Sequence, residues 1–450
     1  MHEKFVGLEH ASRLLGKPGT EIAVVKNPDY VFPEFDLYPL AVKTRIPLNQ
    51  LSAAVMDMDG TTTTTETLCI HSLEYMVRQI TNRMTRESWP GLDPVRDYPH
   101  IIGNSTTRHV EYLVQMYQDK IDSVAMKDAY LKAVLWFLFQ GKDKQRVQEV
   151  RTNLINLGCA DLCTGKKVLN NKKVTPDLQR YILRIYRDRI VFSSEVAKVR
   201  AAIDIYYQRY HEILEAISRG KGEVLARQLL GNTDRHLIEP MPGIGEFLVL
   251  LKGWFGNEIV KMVPVFLRHL DKKVPHASES LNPEKIKRQL LHLSQVFAKK
   301  PVKIAVVTSS IFYEANIVLA EVFRVLYREV EDWPVSLRLR KKIRSGFENY
   351  KTFYDGCITA TDSSEIRLKP HRDLYSMALY QLGISKNDFD EVIGFEDSES
   401  GTIAIRAAGI GLCMAVPFSE TSHHDFRAAT HILPGGVAEA VLKYNLFLPE

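Results

Sequence analysis

The chain has 450 residues, 45% of them hydrophobic and 25% charged, a composition typical of an ordinary globular protein with a sizeable core, and its length suggests roughly two or three domains. Its 59 basic and 54 acidic residues leave a net charge of +5, which is too balanced to indicate a nucleic-acid or membrane-surface partner. The longest strongly apolar run, Ala133 to Phe139, is far too short to cross a bilayer, and the five cysteines, sparse and odd in number, favour a reduced cytoplasmic protein.

Residues 1–50 form a leader that contains five prolines and one strand-like piece, Glu21 to Val25. No motif in this leader indicates a role of its own. We expect it to pack on the core of the protein.

An apolar run, Ala54 to Met56, is followed by two acidic residues one position apart, Asp57 and Asp59, and then by Gly60 and a series of threonines. The run predicts a buried strand, and the glycine permits a sharp turn at its end. Two carboxyl groups at a strand end can line one cleft, where one attacks and the other moves a proton. A calcium-binding loop is the alternative, but it needs further oxygen ligands at alternating positions and a closing glutamate, whereas Thr61 to Thr65 supply only hydroxyls and the preceding segment is strand-like.

Residues 67–240 change to a helical pattern, with apolar residues at three- and four-residue spacing and almost no strand signal. The predicted helices are Thr67 to Met84, Thr107 to Tyr117, Ser123 to Gln140, Leu178 to Tyr186 and Ser194 to Ile217. This pattern predicts an all-helical module inserted into the chain after its first core strand.

Strand signals return within residues 241–450 and alternate with helical stretches. The predicted strands are Pro301 to Thr308, Cys357 to Ala360, Glu391 to Phe395 and Gly411 to Val416. Such alternation predicts an α/β fold, a parallel sheet covered by helices on both faces and formed by residues 51–66 and 241–450. Two further helical insertions are predicted near 253–300 and 327–350.

Ligands of such sheets bind beyond the carboxyl ends of the strands, where Asp57, Thr308 and the pair Glu396–Asp397 are all predicted to lie. Together with Lys369, which precedes a helix, these residues suit phosphoryl transfer. Asp57 is the predicted nucleophile and Asp59 the general acid and base, while Lys369 offers a fixed ammonium and Thr308 a hydroxyl donor. Since a carboxylate is repelled by a phosphate dianion, a divalent cation is expected. The predicted Mg²⁺ ligands are Asp57, the backbone carbonyl of Asp59, Glu396 and Asp397.

These four ordered motifs resemble the haloacid dehalogenase superfamily, and most closely its branch with β-phosphoglucomutase and related phosphatases. The matching stretches are Asp57-Met-Asp59-Gly60-Thr61, Val306-Val307-Thr308-Ser309-Ser310, Lys369-Pro370-His-Arg-Asp373-Leu-Tyr375 and Phe395-Glu396-Asp397-Ser398 with Gly401. Pro242-Gly243 before Glu246-Phe247-Leu248 resembles the segment that re-enters the core from the helical cap of that branch.

The resemblance implies a Rossmann-like core with an enlarged helical cap at 67–240, a bound Mg²⁺ and an aspartyl-phosphate intermediate on Asp57. Asp59 would protonate the leaving group and then activate water. Gly60, Thr61 and Ser309 are predicted substrate contacts in the core. The implied activity is a phosphatase acting on a small phosphate monoester.

Departures from the family pattern bear on the alternatives. Many relatives, including the mutases, carry an aspartate seven residues after the nucleophile and a histidine twelve after it, and here those positions are Thr64 and Cys69. Plain hydrolysis is therefore favoured over a phosphosugar mutase. A second alternative is a catalytically idle protein whose helical cap binds a partner.

Substrate choice is expected to depend on the cap, where Asn104 and Arg108 are the predicted contacts, along with Ser105. Plain helix capping is the alternative role for this group. The partner we expect is a small phosphorylated substrate, with neither nucleic acid nor membrane. The sequence names neither that substrate nor the oligomeric state.

Overall fold

The computed structural model of the chain describes residues 5–16, 19, 21–27, 31–102, 106–165, 173–231, 236–362, 365–418 and 421–449. Its contacts divide the chain into two compact units, one made of Met1–Thr65 with Ile238–Glu450 and the other of Glu66–Leu237. The sequence places these divisions at 66/67 and 240/241, whereas the contacts place them at 65/66 and 237/238.

A six-stranded parallel sheet forms the centre of the first unit, in the order β10-β9-β8-β3-β6-β7. Its strands are β3 (Ala53–Asp57), β6 (Lys303–Val307), β7 (Gly356–Ile358), β8 (Val392–Glu396), β9 (Leu412–Ala415) and β10 (His431–Ile432). All five residues of β3 are buried, as expected of a strand covered on both faces. The predicted α/β class is confirmed.

The two faces of the sheet pack against different helices because successive side chains of a strand point in opposite directions. On one face, Val55 and Val307 belong to a core cluster with residues of helices Asp373–Gln381 and Glu399–Ala407. On the other face, the ring of Phe395 lies edge-on to Phe247, with ring centroids 5.1 Å apart.

The helices of this unit mostly alternate with the strands, as predicted. They are Leu8–Leu15, Ile244–Leu251, Val263–Lys273, Pro283–Lys299, Phe312–Glu329, Leu337–Phe347, Tyr350–Phe353, Asp373–Gln381, Glu399–Ala407 and Gly436–Leu442. The predicted insertions near 253–300 and 327–350 are helical, with Pro283–Lys299 and Leu337–Phe347 as main elements.

The three central strands, β8, β3 and β6, are in register, so their carboxyl ends lie at the same level of the sheet. Asp57 lies opposite Val307 of β6, and Met56 lies opposite Phe395 of β8. The carboxyl ends of these strands are therefore level. Asp57, Thr308 and Glu396 leave the sheet side by side at one edge.

In the second unit, all regular secondary structure in the part of Glu66–Leu237 that the structure describes is helical. Its helices are Glu66–Thr81, Tyr98–Ile101, Thr106–Met116, Ser123–Gln140, Lys144–Asn156, Asp161–Thr164, Pro176–Tyr186, Glu195–Ser218 and Gly222–Leu230. The predicted inserted helical module is confirmed. Helices Lys144–Asn156 and Gly222–Leu230 were not predicted, and the first buries only Val150 and Leu154, which is too thin an apolar stripe to recognise in the sequence.

The leader contains two strands where the sequence predicts one. β1 (Ile22–Lys26) and β2 (Phe35–Pro39) pair as an antiparallel hairpin. Its inner face, with Ala23, Val25 and Tyr38, packs against a small cluster formed by Leu40, Ile403 and Ala428.

A short antiparallel pair joins the segments at the unit boundary, β4 (Thr63–Thr64) and β5 (Glu239–Pro240). Among the described residues, none of the helices combines the length and the apolar composition needed to cross a bilayer.

One buried cation fastens the leader to the core. Arg406, 1% exposed, donates through Nε to the carbonyl of Ala41 at 2.8 Å and through Nη1 to that of Ala428 at 2.7 Å. Its Nη2 lies 2.7 Å from Glu21 Oε2 in the leader. A buried guanidinium whose donors are used in this way is a strong tether.

We expect Arg406→Ala to lower the free energy of unfolding by about 2–4 kcal/mol, because the buried carbonyl of Ala428 and the half-buried carbonyl of Ala41 lose their donor. Urea denaturation measures this change. Arg427→Ala is the matched control: its side chain is 91% exposed, and removing it should change the free energy of unfolding by less than about 0.5 kcal/mol. Equal losses in both variants would contradict the assigned role of Arg406.

Candidate active site

A buried ammonium joins two carboxylates at the carboxyl edge of the sheet. Lys369 Nζ donates to Oδ1 of Asp57, which ends β3, and to Oε1 of Glu396, which ends β8. The three side chains are 8%, 6% and 0% exposed. The loop with Lys369 thus reaches the ends of two neighbouring strands.

Three hydroxyl groups surround the second aspartate. Asp59 Oδ1 accepts from Thr65 Oγ1 at 2.5 Å, while its Oδ2 accepts from Thr308 Oγ1 at 3.1 Å and Ser310 Oγ at 3.3 Å. The Thr308 hydroxyl also accepts from the backbone N–H of Ser310 at 2.9 Å. Asp59 is therefore fixed from both sides by neutral donors.

Glu396 is oriented by protein donors on both of its oxygens. Oε1 accepts from Tyr375 OH at 3.2 Å in addition to Lys369, and Oε2 accepts from the backbone N–H and the hydroxyl of Ser398 at 2.8 and 2.9 Å. A Cβ at Gly401 would lie 1.7 Å from Oε1, so only glycine leaves room for this carboxylate. This arrangement suits Glu396 to hold Lys369 in place, and its predicted role as a Mg²⁺ ligand stays a prediction.

Asp397 approaches the turn after β3 closely. Its Oδ1 accepts from Thr61 Oγ1 at 3.3 Å. A Cβ at Gly60, whose φ is +80°, would lie 2.5 Å from Asp397 Oδ2. Glycine at this position therefore permits both the left-handed turn and the close approach of the carboxylate.

The carboxylates of Asp57, Glu396 and Asp397 can each offer an oxygen within 4.8 Å of one another, and all three residues are buried. Such a cluster of hard oxygen donors fits Mg²⁺. It also carries more negative than positive charge, since Lys369 supplies the ammonium nearest to Asp57 and Glu396. The donor set and the charge both fit a divalent cation.

Burial and charge act in opposite directions on the ionisable groups. Burial raises the pKa of Asp57 well above its ordinary value, against the lowering effect of Lys369. Burial also raises the pKa of Asp59, and the hydroxyls of Thr65 and Thr308 oppose that rise. Burial alone would lower the pKa of Lys369, but Asp57 and Glu396 outweigh it and raise that pKa. Lys369 therefore stays charged.

The structure brings the predicted core residues together. Asp57, Asp59, Gly60, Thr61, Thr308, Lys369, Glu396 and Asp397 all lie at this edge of the sheet. Ser309 is exposed beside them. Their roles in substrate and metal binding stay predictions.

The predicted cap contacts are placed differently. Asn104 and Ser105 lie outside the described residues, and Arg108 is exposed on helix Thr106–Met116 of the second unit. All three stay predictions.

Sequence reasoning missed four residues that orient the site: Thr65, Ser310, Tyr375 and Ser398. Ser310 ends the series of hydroxyl residues that begins at Thr308, and Ser398 directly follows Glu396 and Asp397. Both serines therefore lie within recognisable motifs. Tyr375 ends the third matching stretch, but its contact with Glu396 spans 21 residues and follows from no spacing in the sequence.

No family model matches the sequence, and no curated protein matches it. Solved structures resemble the chain at low identity. CbbY from Rhodobacter sphaeroides, in complex with phosphate, is 12% identical, with 87% of this chain and 96% of that chain covered and a TM-score of 0.39. A HAD family hydrolase from Deinococcus radiodurans, with bound phosphate and sodium, is 14% identical, with 89% and 100% covered and a TM-score of 0.37. TM-scores of this size carry no functional conclusion, which has to come from the site itself.

We expect Mg²⁺ to bind the native protein, and Asp397→Asn to weaken that binding by at least about tenfold, because one anionic oxygen donor is lost from the cluster. Titration calorimetry of the purified protein measures both affinities. Glu399→Gln is the matched control, since Glu399 lies two residues away on the exposed side of the same turn. Unchanged affinity in Asp397→Asn would exclude Asp397 as a ligand.

Proposed function

We propose that the chain is a member of the haloacid dehalogenase superfamily and a Mg²⁺-dependent phosphatase of small phosphate monoesters. The observation that supports this proposal most is the set of buried Asp57, the nearly buried Lys369 ammonium and half-buried Asp59 at one sheet edge. One carboxylate lies against a fixed ammonium, and a second is held by three hydroxyls. The four motifs found in the sequence carry these same residues.

In the first step, Asp57 attacks phosphorus and the bond to the leaving-group oxygen breaks, which leaves the phosphoryl group on the carboxylate. Lys369 keeps Asp57 in place and offers positive charge where negative charge gathers in the transition state. Because Lys369 is also held by Glu396, its ammonium is positioned before substrate arrives.

Asp59 supplies the proton that the leaving oxygen needs. Its raised pKa favours the protonated form that can donate, and its three hydroxyl partners stabilise the ionised form that remains afterwards. In the second step the ionised Asp59 takes a proton from water, which attacks the phosphoryl group and releases phosphate. The same carboxyl is thereby protonated again for the next cycle.

The residues that would hold the cation are Asp57 and Asp397, with the carbonyl of Asp59 and Glu396 as further predicted donors. When bound, Mg²⁺ would offset the negative charge of the phosphate and favour the ionised form of the carboxyls that hold it, Asp57 and Asp397.

Two alternatives to this phosphatase, a phosphosugar mutase and a catalytically idle protein, are less favoured. A mutase would have to protect the phosphoryl group from water, and Thr64 and Cys69 stand where many relatives carry an aspartate and a histidine. An idle protein would have no use for the buried charges around Lys369, which are costly to keep in a core. A cytoplasmic location is proposed on the sparse cysteines of the sequence.

We expect Asp57→Asn to reduce phosphate release from an aryl phosphate by at least about a thousandfold, because the amide is a poor nucleophile. Inorganic phosphate release in the presence of Mg²⁺ measures this loss. The control is Asp390→Asn, an exposed position at the opposite end of β8, which should keep wild-type activity. A wild type that is as inert as Asp57→Asn across a broad panel of phosphate esters would favour the partner-binding alternative.

We expect Thr65→Val to move the alkaline limb of kcat/KM to higher pH. The lost hydroxyl stabilises the ionised form of Asp59, so its removal raises the pKa of Asp59 further and keeps the acid protonated at higher pH. A pH profile on the aryl phosphate measures the shift.

Thr63→Val is the matched control for that measurement. The Oγ1 of Thr63 is buried and has no hydrogen-bond partner among the described residues, so its loss should leave the profile unchanged. A shift of the limb to lower pH in Thr65→Val would contradict the assignment of Asp59 as the acid.

A further inference from the structure

The carboxylate of Asp373 contacts the loop that carries Lys369. Residues 366–368 form no regular secondary structure, and 369–372 form only turns and bends. Asp373 Oδ2 accepts from the backbone N–H of Arg367 at 3.0 Å and from its Nε at 3.1 Å, while Oδ1 lies 2.8 Å from Nδ1 of His371, a contact that lacks hydrogen-bond geometry. Lys369 lies between Arg367 and His371 in the chain. The Asp373 carboxylate therefore contacts the loop on both sides of Lys369.

The same carboxylate belongs to the helix that supports Glu396. Asp373 is the first residue of helix Asp373–Gln381, and Tyr375 of that helix donates to Glu396. A displacement of this helix start would move the loop of Lys369 and the donor of Glu396 together.

The leader hairpin lies against this loop. The ring of Tyr38 in β2 stands edge-on to His371, with centroids 5.8 Å apart and planes at 73°. Tyr38 belongs to the inner face of the hairpin, which packs on Leu40, Ile403 and Ala428, and Arg406 fastens the hairpin to the core. His371 is therefore covered by a side chain whose own position is fixed.

We propose that the leader hairpin is a positioning element for Lys369, acting from Tyr38 through His371 and Asp373. The inference rests on the proposed function, in which Lys369 has to meet Asp57. Tyr38 and His371 are positioning residues in this scheme, and the aromatic edge contact is the part that the hairpin supplies. A small displacement of a group that has to align with a reacting centre costs much of the rate.

Two variants of one strand separate this role from simple stability. Tyr38→Ala removes the ring that covers His371, whereas Leu37→Ala truncates a side chain on the opposite face of the same strand, where Leu37 is 43% exposed. Tyr38→Phe keeps the ring and serves as the rescue variant. The first readout needs no enzymatic activity: acylation of Lys369 by an amine reagent, quantified by mass spectrometry on native full-length protein.

We expect Tyr38→Ala to raise the acylation rate of Lys369 several-fold, because an ammonium that is 8% exposed and shared by two carboxylates becomes accessible when its loop loosens. Leu37→Ala and Tyr38→Phe should match wild type. In the kinetic readout, kcat on an aryl phosphate should fall about tenfold in Tyr38→Ala alone. If Tyr38→Ala does not fold, Tyr38→Leu, which keeps apolar volume without the ring, provides the same comparison.

Equal acylation and equal kcat in the Tyr38 and Leu37 variants would overturn the positioning role, as would a Tyr38→Phe variant that behaves like Tyr38→Ala. A wild type that releases no phosphate from any ester would instead overturn the proposed function. In that case the acylation comparison still decides whether the hairpin positions Lys369.

Discussion

The site depends on one interaction, the sharing of the Lys369 ammonium between Asp57 and Glu396. Charges of this kind are costly to bury unless each is paired and hydrogen-bonded. The surrounding residues meet this requirement. Glu396 accepts from Tyr375 through Oε1 and from Ser398 through Oε2. Both oxygens of Asp59 accept from hydroxyl groups. With Asp397 added, negative charge still exceeds positive, which makes the same cluster fit for a divalent cation.

The arrangement of the site was largely predictable because it follows from topology. Parallel strands end at one edge of a sheet, so the residues after β3, β6 and β8 had to become neighbours once the strands were recognised. Asp57, Thr308 and Glu396 were predicted on that ground together with the chemistry of their side chains and the resemblance of their motifs. Their helices and strands were found within a few residues, since long buried runs such as β3 and β6 give clear patterns.

What the sequence did not reveal depends on the direction of single side chains or on weak local patterns. Strand β2 was missed because Phe35 to Pro39 stands among prolines and exposes three of its five residues. The contacts of Tyr375 with Glu396 and of Tyr38 with His371 join positions 21 and 333 residues apart, and no periodicity encodes them. The hydroxyl of Thr65 could be suspected near Asp59, but its bond to that carboxylate depends on the turn at Gly60.

Strands β4 and β5 pair Thr63 with Pro240 and Thr64 with Glu239, so the two chain ends that leave the sheet-containing unit start from adjacent points. An insertion that begins and ends at adjacent points closes on itself, and its length can vary without any change in the path of the remaining chain. This geometry makes the segment between Thr65 and Ile238 interchangeable in principle. One insert could be replaced by another in evolution while the sheet-containing unit kept its sequence.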